Sequence, residues 1–204
     1  METNRTTLAT YQENFDKYVA GTSQEVSGTQ RRWIDRVLAR IDKNASILEI
    51  GAAFGRDAAY MQDAGYANVT VTDAFDAAID TLKERGFSDA KKLNVLTDEL
   101  EGEYGLIFAS AVFLHFTERE FETVLRKLHG HLGASGLLAF TVKEGDGEEW
   151  SSAKMEAPRF FHYWREISLE NTVEKCGYRI LEITASEESG QKWLSVTAQP
   201  SKKL

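Results

Sequence analysis

The sequence of 204 residues predicts an α/β fold built on a parallel sheet, and three observations lead there. Runs with strand character alternate with runs at helical spacing along most of the chain. Ile47-Leu48-Glu49-Ile50 passes at once through the small-residue turn Gly51-Ala52-Ala53-Phe54-Gly55 into the helix-like run Arg56 to Asp63. A second, β-branched run, Asn68 to Asp73, again ends in an acid. Strand, turn and helix units of this kind close by right-handed crossovers. Their turns lie at the carboxyl end of the sheet, where backbone N–H groups and a helix dipole face a polar ligand.

The elements follow in chain order. Leu8, Tyr11, Phe15 and Tyr18 or Val19 repeat at helical spacing, as do Trp33, Ile34, Val37, Leu38 and Ile41, with the apolar-poor stretch Gly21 to Gly28 as the break. Preceding the first strand, these two helices are expected to cover one end of the sheet as a cap, residues 1–44. After Asp73, Ala74 to Arg85 reads as a helix stopped by Gly86, and a third strand falls within Ala90 to Leu96. Tyr104 to Phe113 suits a buried strand and its loop. Thr117-Glu118-Arg119-Glu120 is a capping box for a helix with apolar face Phe121, Val124, Leu125, Leu128 and Leu132. Gly136 to Val142 is the fifth strand.

Residues 143–166, acidic and glycine-containing up to Ala157 and ending in the aromatic run Phe160-Phe161-His162-Tyr163-Trp164, read as a loop inserted on the substrate side. Ser168 is expected to cap a helix through Cys176 that stops at Gly177. Tyr178 to Ala185 and Lys192 to Ala198, separated by Ser186 to Gly190, predict an antiparallel hairpin at the sheet edge. The expectation is one domain over 1–204, with the core in 45–200.

Composition narrows the function classes. With 42% hydrophobic and 27% charged residues, the chain fits a globular domain with a substantial core. No apolar run approaches the roughly 20 residues that cross a bilayer, and Met1 to Thr10 has no apolar segment of signal-peptide type. A single cysteine, Cys176, leaves no intrachain disulfide and suits a reducing compartment, so a cytoplasmic location is expected. The net charge of −8 argues against a nucleic-acid or anionic-membrane partner. Ser201 to Leu204 reads as a frayed tail.

The opening turn discriminates among ligands. It lacks the Gly-x-x-x-x-Gly-Lys-Ser/Thr string of a phosphate loop, and a dinucleotide fingerprint would need glycine at 51, 53 and 56, where the chain has Gly51, Ala53 and Arg56. The second of those glycines lets a backbone approach a pyrophosphate, so Ala53 disfavours a dinucleotide. What remains is an acid, a turn of small residues and glycines, and a second acid at the next strand end: Glu49, Gly51, Ala53, Gly55 and Asp73.

That pattern resembles the class I S-adenosylmethionine-dependent methyltransferases, over nearly the whole chain. The family often has glycine where Ala53 stands. Gly55-Arg56-Asp57, Ala109-Ser110-Ala111 with Leu114-His115, Leu125-Arg126-Lys127-Leu128 and Val142-Lys143-Glu144-Gly145 are similar to a branch of small bacterial enzymes acting on small molecules. Tyr11 to Tyr18 is similar to that branch's amino-terminal helix, which closes over the cofactor. The resemblance implies a Rossmann-like, doubly wound sheet of seven strands in the order 3-2-1-4-5-7-6 with the seventh antiparallel.

It also implies roles. Gly51 and Gly55 would pass under the amino-acid part of S-adenosylmethionine, with Glu49, Ala52, Ala53 and Arg56 completing that loop and Tyr18 closing over it. Asp73, with Ala74 beside it, would accept the ribose hydroxyls. Asn94 and Val95 would meet the adenine, Asn94 standing where the family commonly has an acid, and Ser110 and Ala111 would border the methyl group. Tyr11, Lys143, Arg159, Tyr163 and Trp164 would contact the acceptor, and His115 would take its proton. A sulfonium methyl is already electrophilic, so no metal or covalent nucleophile is expected. The expected activity is in-line methyl transfer to the O, N or S of a small molecule by a monomer or homodimer. The alternative is a non-catalytic S-adenosylmethionine-binding regulatory module with an exposed apolar patch.

Overall fold

The computed structural model describes residues 2–201. Helices α1 (Glu2–Glu13), α2 (Phe15–Ala20) and α3 (Gly28–Leu38) precede β1 (Ile47–Ile50), α4 (Arg56–Asp63), β2 (Val69–Asp73), α5 (Asp76–Glu84), β3 (Lys91–Lys92) and β4 (Tyr104–Ala109). A 3-10 turn at Phe113–His115 leads to α6 (Glu118–His129), β5 (Leu132–Glu144), β6 (Glu148–Ser151), β7 (Arg159–Trp164), α7 (Glu166–Lys175), β8 (Tyr178–Glu188) and β9 (Gln191–Pro200).

The sheet runs β3-β2-β1-β4-β5 with every neighbour parallel, then continues through β9, antiparallel to β5, to β8 on the edge. This is the expected Rossmann-like order, with the last hairpin folded back so that its second strand lies beside β5. Ser189 and Gly190 turn that hairpin with φ of 52° and 76°, the left-handed pair that matches strand twist.

Alternation along the strands divides the core between two faces. Ile47, Leu106, Phe108, Leu137 and Ala139 meet Trp33, Ile34, Val37 and Leu38 of α3 and Met61 of α4. Leu48, Ile107, Leu138 and Phe140 point the other way, to Phe121, Val124, Leu125 and Leu128 of α6 and Leu169 and Val173 of α7. Burial of side chains this size is worth about 1.5–3 kcal/mol each, which explains why parallel strands covered on both faces read as continuous apolar runs.

Several local expectations change. The cap holds three helices, because the pattern from Leu8 to Val19 bends at Asn14 (φ −123°), whose side-chain amide donates to the Thr10 carbonyl at 3.0 Å. The third of them ends at Leu38, so Ile41 lies beyond it. The 143–166 insertion is no loop: β6 and β7 form an antiparallel hairpin, and β7 joins the end of β5 through the pairs Lys143–Tyr163 and Glu144–Trp164. Burial of Phe160, Phe161 and Trp164 holds it there. Helix α7 starts at Glu166, and the Ser168 hydroxyl donates back to the Arg165 carbonyl where a cap was expected. Gly177, at φ 94°, stops the helix as expected.

Ser201 is not frayed, since its N–H donates to the Gly177 carbonyl at 2.8 Å; residues 202–204 lie outside those described. Among the described residues, no helix is long and apolar enough to cross a membrane.

The capping box forms in full. The Thr117 hydroxyl accepts from the Glu120 N–H at 3.3 Å, and the Glu120 carboxylate accepts from the Thr117 N–H at 3.0 Å. Replacing Thr117 with Ala should lower stability by about 1 kcal/mol, measured by urea unfolding, while Thr117→Ser retains most of it. An unchanged midpoint in the alanine variant would remove the cap from the stabilising contacts.

Candidate functional site

The site is built where β1, β2, β4 and β5 end. Leaving β1, the chain takes left-handed turns at Gly51 (φ 71°), Ala53 (φ 54°) and Gly55 (φ 80°). A side chain at Gly51 would collide with Val112, its Cβ falling 2.4 Å from that residue's Cγ2. Ala53 adopts a conformation that L-residues resist by about 1–2 kcal/mol, so something must hold it.

That something is Asp73. Its carboxylate accepts the Ala53 N–H at 2.7 Å and the Ala74 N–H at 2.6 Å, with the Phe75 N–H contributing. It has no cationic partner among the described residues. Burial pushes its pKa up to about 6 and outweighs these donors. A carboxylate has room for about four hydrogen bonds, and Asp73 lines a cavity with capacity to spare. It can accept further hydrogen bonds from donors on a ligand in that cavity.

This first cavity has about 680 Å³ of space, part of it open to solvent. Its floor is Ile50, Gly51, Ala53, Asp73, Ala74, Leu93, Asn94, Val95, Ser110 and Ala111, and its roof is Asn4, Thr7, Leu8 and Tyr11 of α1 with Tyr18 of α2. The α1 residues fall at i, i+3, i+4 and i+7, one face of a helix. Thr7 and Thr10 tie that helix to β7 and its approach. The Thr7 hydroxyl accepts from the Phe160 N–H at 3.0 Å, and the Thr10 hydroxyl donates to the Pro158 carbonyl at 2.7 Å. Asn94 is at the expected place, but its amide N donates to Asn4 and its amide O accepts from the Leu96 N–H.

A second cavity, with about 1670 Å³ of space open to solvent, begins where the first ends. Tyr11, Tyr18, Ser110, Ala111 and His115 line both. His115 Nδ1 lies 2.6 Å from the Phe160 carbonyl, which can only accept, so Nδ1 carries the proton and Nε2 takes the Tyr11 hydroxyl at 2.9 Å. Arg159 in turn donates to the Tyr11 oxygen at 3.2 Å. Burial drives the His115 pKa down to about 3, the Arg159 and Lys143 charges adding to the effect against the Phe160 hydrogen bond, so the imidazole is neutral. Ala111, another left-handed alanine at φ 56°, is held by its N–H bond to the Thr141 hydroxyl at 2.8 Å.

The remaining expected residues divide between the two cavities and the surrounding frame. Tyr11, Lys143 and Arg159 line the second cavity, and so does Arg56, which pairs with Asp57 at 2.8 Å instead of meeting the first. Glu49, Ala52 and Gly55 line neither cavity. Glu49 is buried beside Asp57, and burial first and that neighbour second raise its pKa well above the carboxylate range. Ala52 packs with Ala58, Val71 and Leu82, and Gly55 abuts Phe87. Tyr163 and Trp164, expected at the acceptor, are turned elsewhere by the pairing of β7. Tyr163 bonds to Glu149, and Trp164 is buried against Phe121.

Sequence reasoning missed Asn4, Thr7, Gln30, Trp33, Thr141, Lys154, Phe161 and Trp193. Only the α1 residues carried a usable signal, their helical spacing with Leu8 and Tyr11. Among the described residues, no cluster of His, Cys, Asp and Glu is placed to hold a metal ion.

A doubly wound sheet with an acid closing its second strand, and a cavity at its carboxyl end, defines the class of α/β transferases with the class I methyltransferase fold. A model of the methyltransferase domain family matches residues 23–183, and the chain belongs to that family.

Solved structures share the architecture at low sequence identity. The 1,6-didemethyltoxoflavin-N1-methyltransferase of Burkholderia thailandensis, with bound 1,6-didemethyltoxoflavin and S-adenosylhomocysteine, aligns at a TM-score of 0.76 and 17% identity over 98% of this chain and 88% of its own. The CcbJ methyltransferase of Streptomyces caelestis gives 0.73 and 14% over 95% and 98% of the two chains. Magnesium protoporphyrin IX methyltransferase of Synechocystis, with bound S-adenosylmethionine, gives 0.71 and 13% over 95% of each. No curated protein matches the sequence.

Asp73 makes the fold sensitive to pH. Its pKa in the fold, about 6, exceeds the ordinary 3.8, so its stabilising contribution is complete below about pH 4 and is lost as pH rises through 6. The stability of Asp73→Asn relative to the native chain should therefore rise by roughly 2–3 kcal/mol between about pH 4 and pH 8. Thermal unfolding of both proteins across that range checks it, and a difference that does not vary with pH would assign Asp73 an ordinary pKa.

Proposed function

We propose that this methyltransferase transfers a methyl group from S-adenosylmethionine to the oxygen, nitrogen or sulfur of a small molecule. The observation that carries this reading is the meeting of two cavities at Tyr11, Tyr18, Ser110, Ala111 and His115. One lies between α1 and the Asp73 loop; the other is the wider, and both reach solvent. Two reactants brought together at such a junction meet at high effective concentration with water largely excluded. A regulatory module that only bound the cofactor would have no use for the second cavity. Two of the fold neighbours contain S-adenosylmethionine or S-adenosylhomocysteine, and one also holds a small-molecule acceptor, which supports the assignment of donor and acceptor.

In this reading Asp73 holds the ribose hydroxyls, Asn94 and Val95 border the adenine, Gly51 and Ala53 carry the amino-acid portion, and Ser110 and Ala111 flank the methyl group. S-adenosylmethionine supplies an electrophilic sulfonium methyl, which the acceptor would attack in line with the carbon–sulfur bond, S-adenosylhomocysteine leaving as the neutral thioether. As the new bond forms on an oxygen or nitrogen, that atom's remaining proton becomes acidic. Tyr11 then accepts it and passes its own hydroxyl proton to neutral His115, while Arg159 stabilises the tyrosine oxygen. Burial keeps His115 neutral throughout the physiological pH range and makes it a weak base, so it takes a proton only from the strongly acidic centre that methylation creates.

Calorimetric titration with S-adenosylhomocysteine should give saturable heat, and Asp73→Ala should weaken the affinity by about 1.5–3 kcal/mol, the worth of hydrogen bonds to a charged group. Absence of saturable heat from the folded protein would defeat the proposal. Methyl-labelled S-adenosylmethionine with a metabolite extract identifies the acceptor as the compound gaining label. With that compound, His115→Gln should lower kcat by about 100-fold or more, with cofactor affinity close to native. An effect confined to KM would make His115 a positioning residue.

A further inference from the structure

The second cavity has an excess of positive charge and hydrogen-bond donors in a chain whose net charge is −8. Arg159 is only 6% exposed and has no carboxylate partner among the described residues. Its guanidinium donates to the Tyr11 hydroxyl and the Ala153 carbonyl, lies over the rings of Tyr11 and Phe161, and leaves Nε buried with no partner. Lys143 holds its ammonium 4.0 Å from the centre of the Phe161 ring. It makes no hydrogen bond or ion pair among the described residues. Lys154, across the cavity, donates to the Thr22 hydroxyl at 2.7 Å and lies over Tyr18. Burial lowers the pKa of both lysines, and the Arg159 charge lowers it further.

The possible counter-charges are few. Arg56 is already paired with Asp57. Among the described residues of the lining the only carboxylate is Glu188, exposed beside the Ser189 turn; Glu149, whose charge acts on Lys143, lies outside the lining and accepts from the Tyr163 hydroxyl. Trp33 adds a buried indole N–H without a partner. Three cations collected without a carboxylate among them cost free energy in the empty protein, and a bound anion removes that cost.

We propose that the acceptor carries a carboxylate or phosphate group held by Arg159, Lys143 and Lys154. Its nucleophilic atom then lies at the junction beside Tyr11 and His115. The inference rests on the second cavity being the acceptor site.

The test uses protein saturated with S-adenosylhomocysteine, whose binding is measured first; failure at that step counts against the methyltransferase reading alone. Fluorescence of Trp33 and Trp193 is then followed during titration with phenyl phosphate, benzoate and the neutral benzyl alcohol. Both anions should saturate, the tighter of them binding about tenfold or more tightly than the alcohol, as charge-assisted hydrogen bonds require. The stronger of the two tells phosphate from carboxylate. In Lys143→Gln, a half-exposed position whose replacement leaves the fold intact, anion affinity should fall about tenfold with alcohol binding unchanged. Arg159→Gln should do the same where it folds. Anions that bind no better than benzyl alcohol, or that bind Lys143→Gln as tightly as the native chain, overturn the proposal.

Discussion

The organisation of this site depends on one carboxylate. Asp73 ends β2, yet its hydrogen bonds reach the turn after β1, so two crossover units already paired and packed together are also tied at the cavity. Without it the Ala53 N–H would lose its partner, and the left-handed turn would rest on the backbone bonds from Gly55 to Ala52 and from Ala52 to Thr72 alone. An amide could make some of these bonds but would not offer the same acceptor capacity to the cavity. The cost is a buried acid with no cation beside it, sustained because backbone N–H groups substitute for the lost water.

The same device recurs on the other side of the cavity. Ala111 follows β4 in a left-handed conformation and is held by the hydroxyl of Thr141, from the adjacent β5. In both cases a strained alanine is secured by a side-chain acceptor one strand away. Strain of this kind persists only where the surroundings over-determine it, and here it marks both edges of the place where the two cavities meet.

Much of the fold was legible because it is written locally. The run into Gly51, the acid at 73, the capping box at Thr117 and the hairpin reversal within Ser186 to Gly190 each depend on neighbours a few residues apart, though the strands run on until only Ser189 and Gly190 form the turn. The β6–β7 hairpin was not, because its stability comes from burying Phe161 and Trp164 in a core assembled from distant elements, while its first half looks like solvated loop. Tyr163 and Trp164 were misplaced for the same reason: aromatic residues near a cavity in sequence face whichever way strand pairing turns them. Tyr11, Lys143 and Arg159 were legible as candidates, but the bond between Tyr11 and His115 joins residues 104 positions apart, and no local pattern records it. Trp33 was read as core and is core, 1% exposed, while also forming part of a cavity wall.

The attachment of α1 to β7 joins two parts of the site mechanically. Thr7 of that helix bonds to the N–H of Phe160, the residue whose carbonyl receives the His115 Nδ1 proton, and Tyr11 of the same helix bonds to His115 Nε2. Any displacement of α1 would disturb both hydrogen bonds of His115 at once, so the wall of the first cavity and the orientation of the histidine are set by one contact region.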